Sequence, residues 1–548
     1  MQKLKIRLML YAPLLLFGIM GCQDLDELNI NPNGVDPEIA DLNLLMPTVI
    51  SGIGSSVVEL GYGDIAGVMQ HTQKDGWSSG HNDYDWDNQS KSWEGLYGIL
   101  RNIDELYKKS IDGGYDFHQG VSLVLKAYTF GLITDLWGDA PYSEALKAEE
   151  SADYFKPVYD QQRDIYLGIL SDLEEANSVL SGNSSSYNNI DPVQDILYGG
   201  DIVRWKKFAN SLALRYYMRL SLKEPGIAEE GIKKIISDPA QFPIITDASE
   251  DANVSYIGTS PSDSWPTTMV FNPDPSGDYM RLKMCSTLVE ALQKYDDPRL
   301  SVWANKVTIP LVEVPGSEID RVVDGRRDVS SDVINAYEET WNLAIDLDPE
   351  YVGIPPSVFA APQYNMNPNL DQGVFNPHAS QLADMYRENS GPLLQMRLLS
   401  AAEVQFILAE AALYGWVSAP PEEYYTEGIR QSFNAWGVGG EIDNFEAPYN
   451  GLESIIEQKW IASWTAAAES WFDFRRTGLP ELETGESAKR AALPLRFYYH
   501  FDSEISRNTV NAETAIARLE PTEYKGSDVS NNSAWSKMWL LQGTGKPY

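Results

Sequence analysis

The sequence predicts a mainly α-helical protein with an irregular, loop-rich middle and a few short strands. Three observations carry this expectation. Apolar residues recur at three- and four-residue spacing over long segments on both sides of residues 239–399. The stretch between them is dense in Pro, Gly, Asp, Asn and Ser and has few periodic runs. Only brief segments, such as Val307–Val314, read as strands.

The first residues carry a different pattern. Lys3, Lys5 and Arg7 precede an uncharged apolar run, Leu8 to Met20, that closes on Gly21-Cys22. The run falls short of the roughly 20 apolar residues a spanning helix needs. A small residue before a Cys at the end of such a run has the form of a lipoprotein processing site. Residues 1–21 are therefore expected to be a signal peptide, Cys22 to carry lipid, and residues 22–41 to form a polar tether with a turn at Asn31-Pro32-Asn33-Gly34. The only other cysteine, Cys285, then has no disulfide partner and reads as a small buried apolar residue. An exported chain of 548 residues can do without a disulfide, because its core is large.

Helical spacing covers Leu42–Gln73, Trp93–Ser110, His118–Leu136, Pro157–Leu180, Val203–Leu222 and Ile227–Ser237. Val203–Leu222 is the clearest: Trp205, Phe208, Ala209, Leu212 and Tyr216 share one face, and Lys206 and Lys207 lie off it. In the irregular middle, Asp278–Lys294 has a helical pattern and Val333–Trp341 a helical turn. Helices return at Ser400–Trp416, Glu422–Trp436 and Glu453–Phe474. Ala401, Ala402, Ala409, Ala411 and Ala412 allow close helix pairing in a tetratricopeptide-like, helical-repeat manner, although no fixed period is present. The expected organisation is one domain over 42–548. Its helical scaffold is formed by 42–238 and 400–478, with an irregular region at 239–399 and an irregular C-terminal segment at 479–548.

Charge excludes some functions. Lys and Arg number 42 against 79 Asp and Glu, a net charge of −37. Such a surface repels polyanions, which argues against nucleic-acid binding and against docking on anionic lipid through basic patches. The five histidines, at 71, 81, 118, 378 and 500, lack metal-ligand spacing, and no P-loop or dinucleotide fingerprint occurs. No cofactor is expected. Gly76-Trp77-Ser78-Ser79-Gly80 matches a nucleophile-elbow pattern but lacks the buried strand before it and the helix directly after it. Asp83, Asp85, Asp87 and Glu94 have the spacing of a calcium loop, with Asn88 where Gly is usual and Lys91 at the ninth position. The plainer reading is a solvated acidic loop that caps the following helix.

The same loop carries the strongest binding signal. Trp77, Tyr84 and Trp86 stand among Asn82, Asp83 and Asn88. Sugar rings stack their C–H faces on aromatic rings while amides and carboxylates take the hydroxyls. Trp265 lies in a second polar, Pro-rich loop, Ser260–Pro266. The expected ligand contacts are Trp77, Asn82, Tyr84, Trp86 and Trp265, with Tyr279 and Tyr364 as weaker candidates.

Five segments resemble the SusD/RagB family of outer-membrane nutrient-binding lipoproteins. They are Lys126–Leu146, centred on Trp137-Gly138-Asp139-Ala140-Pro141-Tyr142; Asp195–Ser221; Glu403–Ala412 with Gly428–Gly437; Ile455–Leu482, containing Trp471-Phe472-Asp473-Phe474-Arg475-Arg476-Thr477-Gly478; and Leu493–Asn508. They follow the family's order and span most of the chain. His500 stands where the family usually has Pro, and the terminal aromatic pair is altered at Trp539-Leu540. The resemblance implies a lipid-anchored protein of the outer membrane, exposed at the cell surface, that captures an oligosaccharide. It also implies a partner, a SusC-like TonB-dependent transporter, and a ligand site formed by the early loop and the irregular middle. No catalysis is implied. An oligopeptide ligand and a surface glycoside hydrolase are the alternative readings. Carboxylates are too abundant here for a glycosidase pair to be read from sequence.

Overall fold

The computed structural model describes residues 41–182, 187–274, 277–370 and 375–548. The expected signal peptide, Cys22 and all of the tether except Asp41 lie outside the described residues.

Asp41 caps helix α1 (Leu42–Gly61) by accepting from the Asn43 amide at 2.9 Å. Its buried face, Leu42, Met46, Val49, Ile50, Ile53 and Val57, follows the helical repeat. The single helix expected over Leu42–Gln73 is broken. Gly63 leaves helical geometry at φ −93°, ψ −136°, and short α2 (Asp64–Val68) and strand β1 (Thr72–Lys74) follow. Next come α3 (Glu94–Gly113), α4 (Asp116–Trp137), α5 (Gln162–Val179), α6 (Ile202–Arg219) and α7 (Pro225–Ser237). Each packs on its neighbour in sequence, and α1 lies against α3. α4 is buried on nearly every side, so its spacing is apolar all round rather than striped. Gly131 is required on α4, because a Cβ there would lie 2.0 Å from the Tyr216 hydroxyl of α6. Trp205, Phe208, Ala209, Leu212 and Tyr216 are buried on one face of α6, as their spacing predicts.

The irregular middle opens with β2 (Ala252–Ser255). One helix was expected over Asp278–Lys294; three elements stand there instead, α8 (Asp278–Arg281), β3 (Leu282–Met284) and α9 (Ser286–Gln293). The reason is a non-local pairing: β3 runs antiparallel to β1, with Thr72 opposite Met284 and Lys74 opposite Leu282. After α10 (Arg299–Trp303), strands β4 (Leu311–Val314), β5 (Asp320–Val323) and β6 (Arg326–Ser330) form a small sheet in the order β4-β6-β5, followed by α11 (Ser331–Trp341). β7 (Gln395–Leu399) pairs antiparallel with β2 and leads back into the scaffold.

Ser400 caps α12 (Ala401–Leu413), which pairs with α13 (Pro421–Ala435). Gly428 permits this pairing, since a Cβ there would meet the Phe406 ring at 2.7 Å. The expected helix over Glu453–Phe474 is two helices, α14 (Leu452–Ala462) and α15 (Ala467–Thr477), separated by Thr465 at φ 68°. The C-terminal segment adds α16 (Thr509–Arg518) and a two-stranded ladder between Glu520–Pro521 and Ser536–Lys537.

Where these helices meet, the interior is charged. Arg215 of α6 pairs with Glu403 of α12 at 2.6 Å and with Glu469 of α15 at 3.3 Å. Arg219 pairs with Glu469 at 2.6 Å and with Asp135 of α4 at 3.4 Å. Lys459 of α14 meets Asp473 at 2.7 Å, while Arg476 bridges Asp473 and Glu410. Arg475 donates to the carbonyls of Asp135 and Leu495, both at 2.7 Å. The network holds five cations and five anions, so it is neutral overall. Burial opposes ionisation of Glu469, yet Arg215 and Arg219 hold its carboxyl below the usual range. Burial lowers Arg475 to about 10, which still leaves it charged at neutral pH.

Candidate functional site

The loop between β1 and α3 is fixed from behind by buried polar contacts. The Asp75 amide donates to the Arg281 carbonyl at 3.0 Å, and its carboxylate meets Lys283 at 3.0 Å in a buried ion pair. The Asn82 side chain accepts from the Lys74 amide at 2.9 Å and donates to the Lys74 carbonyl at 2.8 Å, which closes the loop's base. Ser357, from the irregular middle, donates its hydroxyl to the Asn82 carbonyl at 2.5 Å and lies 3.1 Å from the Tyr84 hydroxyl, which can donate to it. Its amide donates to the Gln73 side chain at 3.0 Å. A third segment joins here: Lys489 donates its amide to the Asp83 carbonyl at 2.7 Å and places its ammonium 2.8 Å from Asp85.

Four of the five expected ligand contacts face inward. Trp86 is 2% exposed, packs on Phe497 and Trp471 at centroid distances of 5.1 and 5.8 Å, and donates its indole N–H to the Gly80 carbonyl. Tyr84 and Asn82 are buried by the contacts above. Trp265 is enclosed by Tyr62, Tyr256 and Tyr386. Tyr279 and Tyr364, the weaker candidates, are buried as well. The expectation of an open stacking platform is therefore corrected for Asn82, Tyr84, Trp86 and Trp265. Their positions lie in loops, but those loops fold over the helices and use the rings as core.

Trp77 is different. It is 71% exposed, and its backbone is left-handed at φ 51°. An aromatic residue is strained in that conformation, and such strain persists only where surrounding contacts impose it. The Arg281 guanidinium lies 4.3 Å from the Trp77 ring centroid and fixes the plane of the indole. Sequence reasoning missed a second ring. Phe359, two residues beyond Ser357, is 83% exposed. Trp77 and Phe359 are the two most exposed aromatic side chains among the described residues, and Ser357 ties their segments together. The available signal was an aromatic residue in a Pro-rich loop, after Ile354-Pro355-Pro356, the same signal that singled out Trp265.

The alternative chemistries of this loop find little geometry. No histidine hydrogen-bonds Ser78 among the described residues; His81 bonds Thr72 instead, and burial pushes its pKa down to about 3. Asp83 accepts from the amides of Gly80 and Asp85, Asp87 from Gln89 and Ser90, and Glu94 pairs with Arg507. The carboxylates spaced like a calcium loop are thus turned to separate partners, and no cluster suited to a metal ion occurs among the described residues.

A SusD-like family model, described as "Starch-binding associating with outer membrane", matches residues 36–500. The chain belongs to this family. Solved structures agree with the fold of this SusD-like chain. A chitin-binding protein superposes with a TM-score of 0.70 at 23% identity, over 91% of this chain and 99% of that one. A SusD homologue from Bacteroides fragilis NCTC 9343 gives 0.66 at 21% identity, over 92% and 99%. A chitin-binding SusD homologue from Flavobacterium johnsoniae gives 0.63 at 18% identity, over 91% and 99%. Among curated proteins, none matches the sequence. The five SusD-like segments meet at the buried charge network: Asp135 comes from the first, Arg215 and Arg219 from the second, Glu403 and Glu410 from the third, Asp473 to Arg476 from the fourth and Leu495 from the fifth. These motif residues are framework, with the exposed rings carried above them on loops.

Proposed function

We propose that this chain is a cell-surface lipoprotein, anchored at the outer membrane through Cys22. It captures an oligosaccharide on the Trp77 face and delivers it, uncleaved, to a SusC-like TonB-dependent transporter. The family's starch-binding, outer-membrane description supports the setting, and two structural neighbours are named as chitin-binding. The observation that carries the reading is Trp77, a strained, outward-facing indole held flat by Arg281. A flat aromatic face suits the C–H face of a pyranose ring, and Phe359 offers a second such face for a longer chain. Asp85, whose side chain stays largely exposed beside Lys489, lies in the same loop for hydroxyl groups.

Binding without cleavage is supported by where the perturbed carboxyls lie. Burial raises Asp251 to about 7 and Glu504 to about 8, but Asp251 caps α12 through the Ala401 amide, and Glu504 accepts from the amides of Trp93 and His500. Burial also raises Asp75 in the site loop, but its carboxyl is turned inward to the buried Lys283 ammonium, away from the exposed Trp77 face. A glycosidase acid with a raised pKa has to stand beside the scissile bond. The test is calorimetric titration of the purified Cys22→Ala chain with malto- and chito-oligosaccharides and with oligopeptides, followed by mass spectrometry of the mixtures. Saccharide binding with unchanged ligand is expected. Accumulating cleavage products would move the protein to the hydrolases, and binding of peptides alone would make it a peptide carrier.

A further inference from the structure

A guanidinium buried without a counter-ion is costly, so its surroundings have to supply one. Arg397 of β7 is such a group. It is 9% exposed and makes no ion pair among the described residues. Its one hydrogen bond runs from Nη2 to the Leu393 carbonyl at 3.1 Å, and its Nε is buried with no acceptor. The guanidinium lies 4.1 Å from the Trp436 ring centroid, which holds it without neutralising it. Burial pulls its pKa down from the usual guanidinium range, yet an arginine stays protonated in a protein. Asp251 is the acid whose charge acts on it. That carboxyl makes no ion pair with Arg397, accepts the Ala401 amide at 2.7 Å and, raised to about 7 by burial, is only partly ionised at neutral pH.

Arg397 and Trp436 line a pocket of about 40 Å³ where α6, β7, α13, α14 and α15 meet. One water needs roughly 10–15 Å³ of such space, so the pocket admits a small ion and not a sugar ring. Arg215, Lys459, Glu403 and Glu469 also line it. All four oxygens of the two carboxylates are held by guanidinium groups. Arg215 takes both oxygens of Glu403, at 2.7 and 2.6 Å, and one of Glu469 at 3.3 Å, while Arg219 takes the other at 2.6 Å. These groups belong to the buried network that is neutral without Arg397, so the pocket carries the charge of Arg397 in excess. Ser432 adds a donor. Its hydroxyl accepts from Arg299 Nη1 at 2.7 Å, and its own proton has no acceptor among the described residues. The open side is framed by small, half-buried residues, Ala435, Ala462, Ser463 and Ala466.

We propose that this pocket binds one small monovalent anion of the halide class, chloride above all, with Arg397 as its counter-ion and the Ser432 hydroxyl as a donor. A weakly hydrated guanidinium favours an anion that sheds its water easily, so chloride and bromide are preferred to fluoride. Sulfate is excluded by its size and by a second charge that the pocket does not match. The bound ion ties β7 to α13 and α14. None of the lining residues belongs to the Trp77 loop or to the Phe359 segment, so the site does not depend on the saccharide reading.

The experiment is chloride NMR of the Cys22→Ala chain, with bromide, fluoride and sulfate as competitors at constant ionic strength. Beside it, crystals soaked in sodium bromide are measured at the bromine absorption edge. Saturable line broadening in the millimolar range is expected, reversed by bromide and not by sulfate. An anomalous peak should stand beside the Arg397 guanidinium in the pocket. Arg397→Met keeps an unbranched side chain against Trp436 and removes the charge, so it should abolish both signals, and Trp77→Ala should change neither. The bromide position in crystals of the Cys22→Ala chain tests the site even where Arg397→Met fails to fold. No saturable broadening, equal competition by sulfate, bromide peaks confined to the surface as adventitious ions only, or broadening that survives in Arg397→Met would each overturn the proposal.

Discussion

Replacing Trp77 and Trp86 by Ala, one at a time, separates a surface ring from a core ring in the same loop. Trp86 is 2% exposed, packs on Phe497 and Trp471, and satisfies the Gly80 carbonyl at 2.8 Å. Truncating such a ring costs about 3–5 kcal/mol through lost burial and the cavity left behind. The orphaned carbonyl adds about 1 kcal/mol. Trp77 buries little, and its contact with Arg281 is worth about 0.5–1 kcal/mol at an exposed site. Trp77→Gly should be milder still, because Gly relieves roughly 1 kcal/mol of left-handed strain. Ligand binding should run the other way. Trp77→Ala and Trp77→Gly should each weaken it by about 1–3 kcal/mol, the size of a contact hot spot. Urea unfolding followed by circular dichroism, beside calorimetric titration with the best oligosaccharide, measures both quantities. Trp77→Ala unfolding as early as Trp86→Ala would refute the assignment of Trp77 to the surface. Wild-type affinity in both Trp77 variants would remove it from the site.

Other expectations follow from the same contacts. Phe359→Ala should leave stability within about 0.5 kcal/mol, as for an exposed position. It should also weaken long saccharides more than short ones; equal affinity across chain lengths would exclude a second platform. Glu469→Gln removes the shared partner of Arg215 and Arg219 and should cost about 3–5 kcal/mol in chemical denaturation, the usual price of an uncompensated buried charge. Glu469 and Asp473 are held below the ordinary carboxylate range: burial opposes this, but Arg215 and Arg219 on the first and Lys459 and Arg476 on the second outweigh it. Their contribution is complete above the unfolded-state values of about 4 and is lost as pH falls through the lower folded-state values. Asp473→Asn should therefore lower stability at neutral pH and flatten its decline in acid, and an unchanged acid profile would count against the network. Cys22→Ala should release the protein from the membrane fraction, and retention with fatty-acid labelling would refute the anchor.

The scaffold was legible where one physical signal dominated. Val203–Leu222 has a single apolar stripe, and Asp201 caps it where the pattern begins, accepting from the amides of Val203 and Arg204. Boundaries failed where a distant partner decided the conformation. Nothing in Asp278–Lys294 records that Leu282–Met284 will pair with Thr72–Lys74, since the helical spacing of Tyr279, Leu282 and Cys285 survives in the letters. The break at Thr465 is likewise set by packing, because Gly61 lies against the Thr465–Ala466 backbone with no room for a Cβ. The role of Arg475 and Arg476 was only half visible. They do end α15, as charges suited to its negative pole, yet their main partners are Asp135, Glu410 and Asp473, far apart in sequence or on another helix turn.

The site was harder to read because aromatic residues serve two ends in this chain. Trp86, Trp137, Trp205, Trp460, Trp464, Trp471 and Trp535 each direct the indole N–H to an acceptor inside the protein. A Trp that binds the framework in this way is a strut, whether it lies on a helix or in a polar loop. Loop position alone therefore does not mark a ligand contact. Backbone conformation and the partner of the ring do so better. Trp77 is turned outward by a left-handed backbone and its face is backed by Arg281 from α8. That arrangement requires β1 and β3 to be in register, since the Asp75 amide reaches the Arg281 carbonyl and Lys283 reaches Asp75. The same pairing that defeated the helical reading of Asp278–Lys294 thus brings Arg281 beneath Trp77. The boundary error and the missed support of the site share one physical cause: a three-residue strand ladder, too short to leave a periodic trace in sequence, sets the geometry of the exposed face.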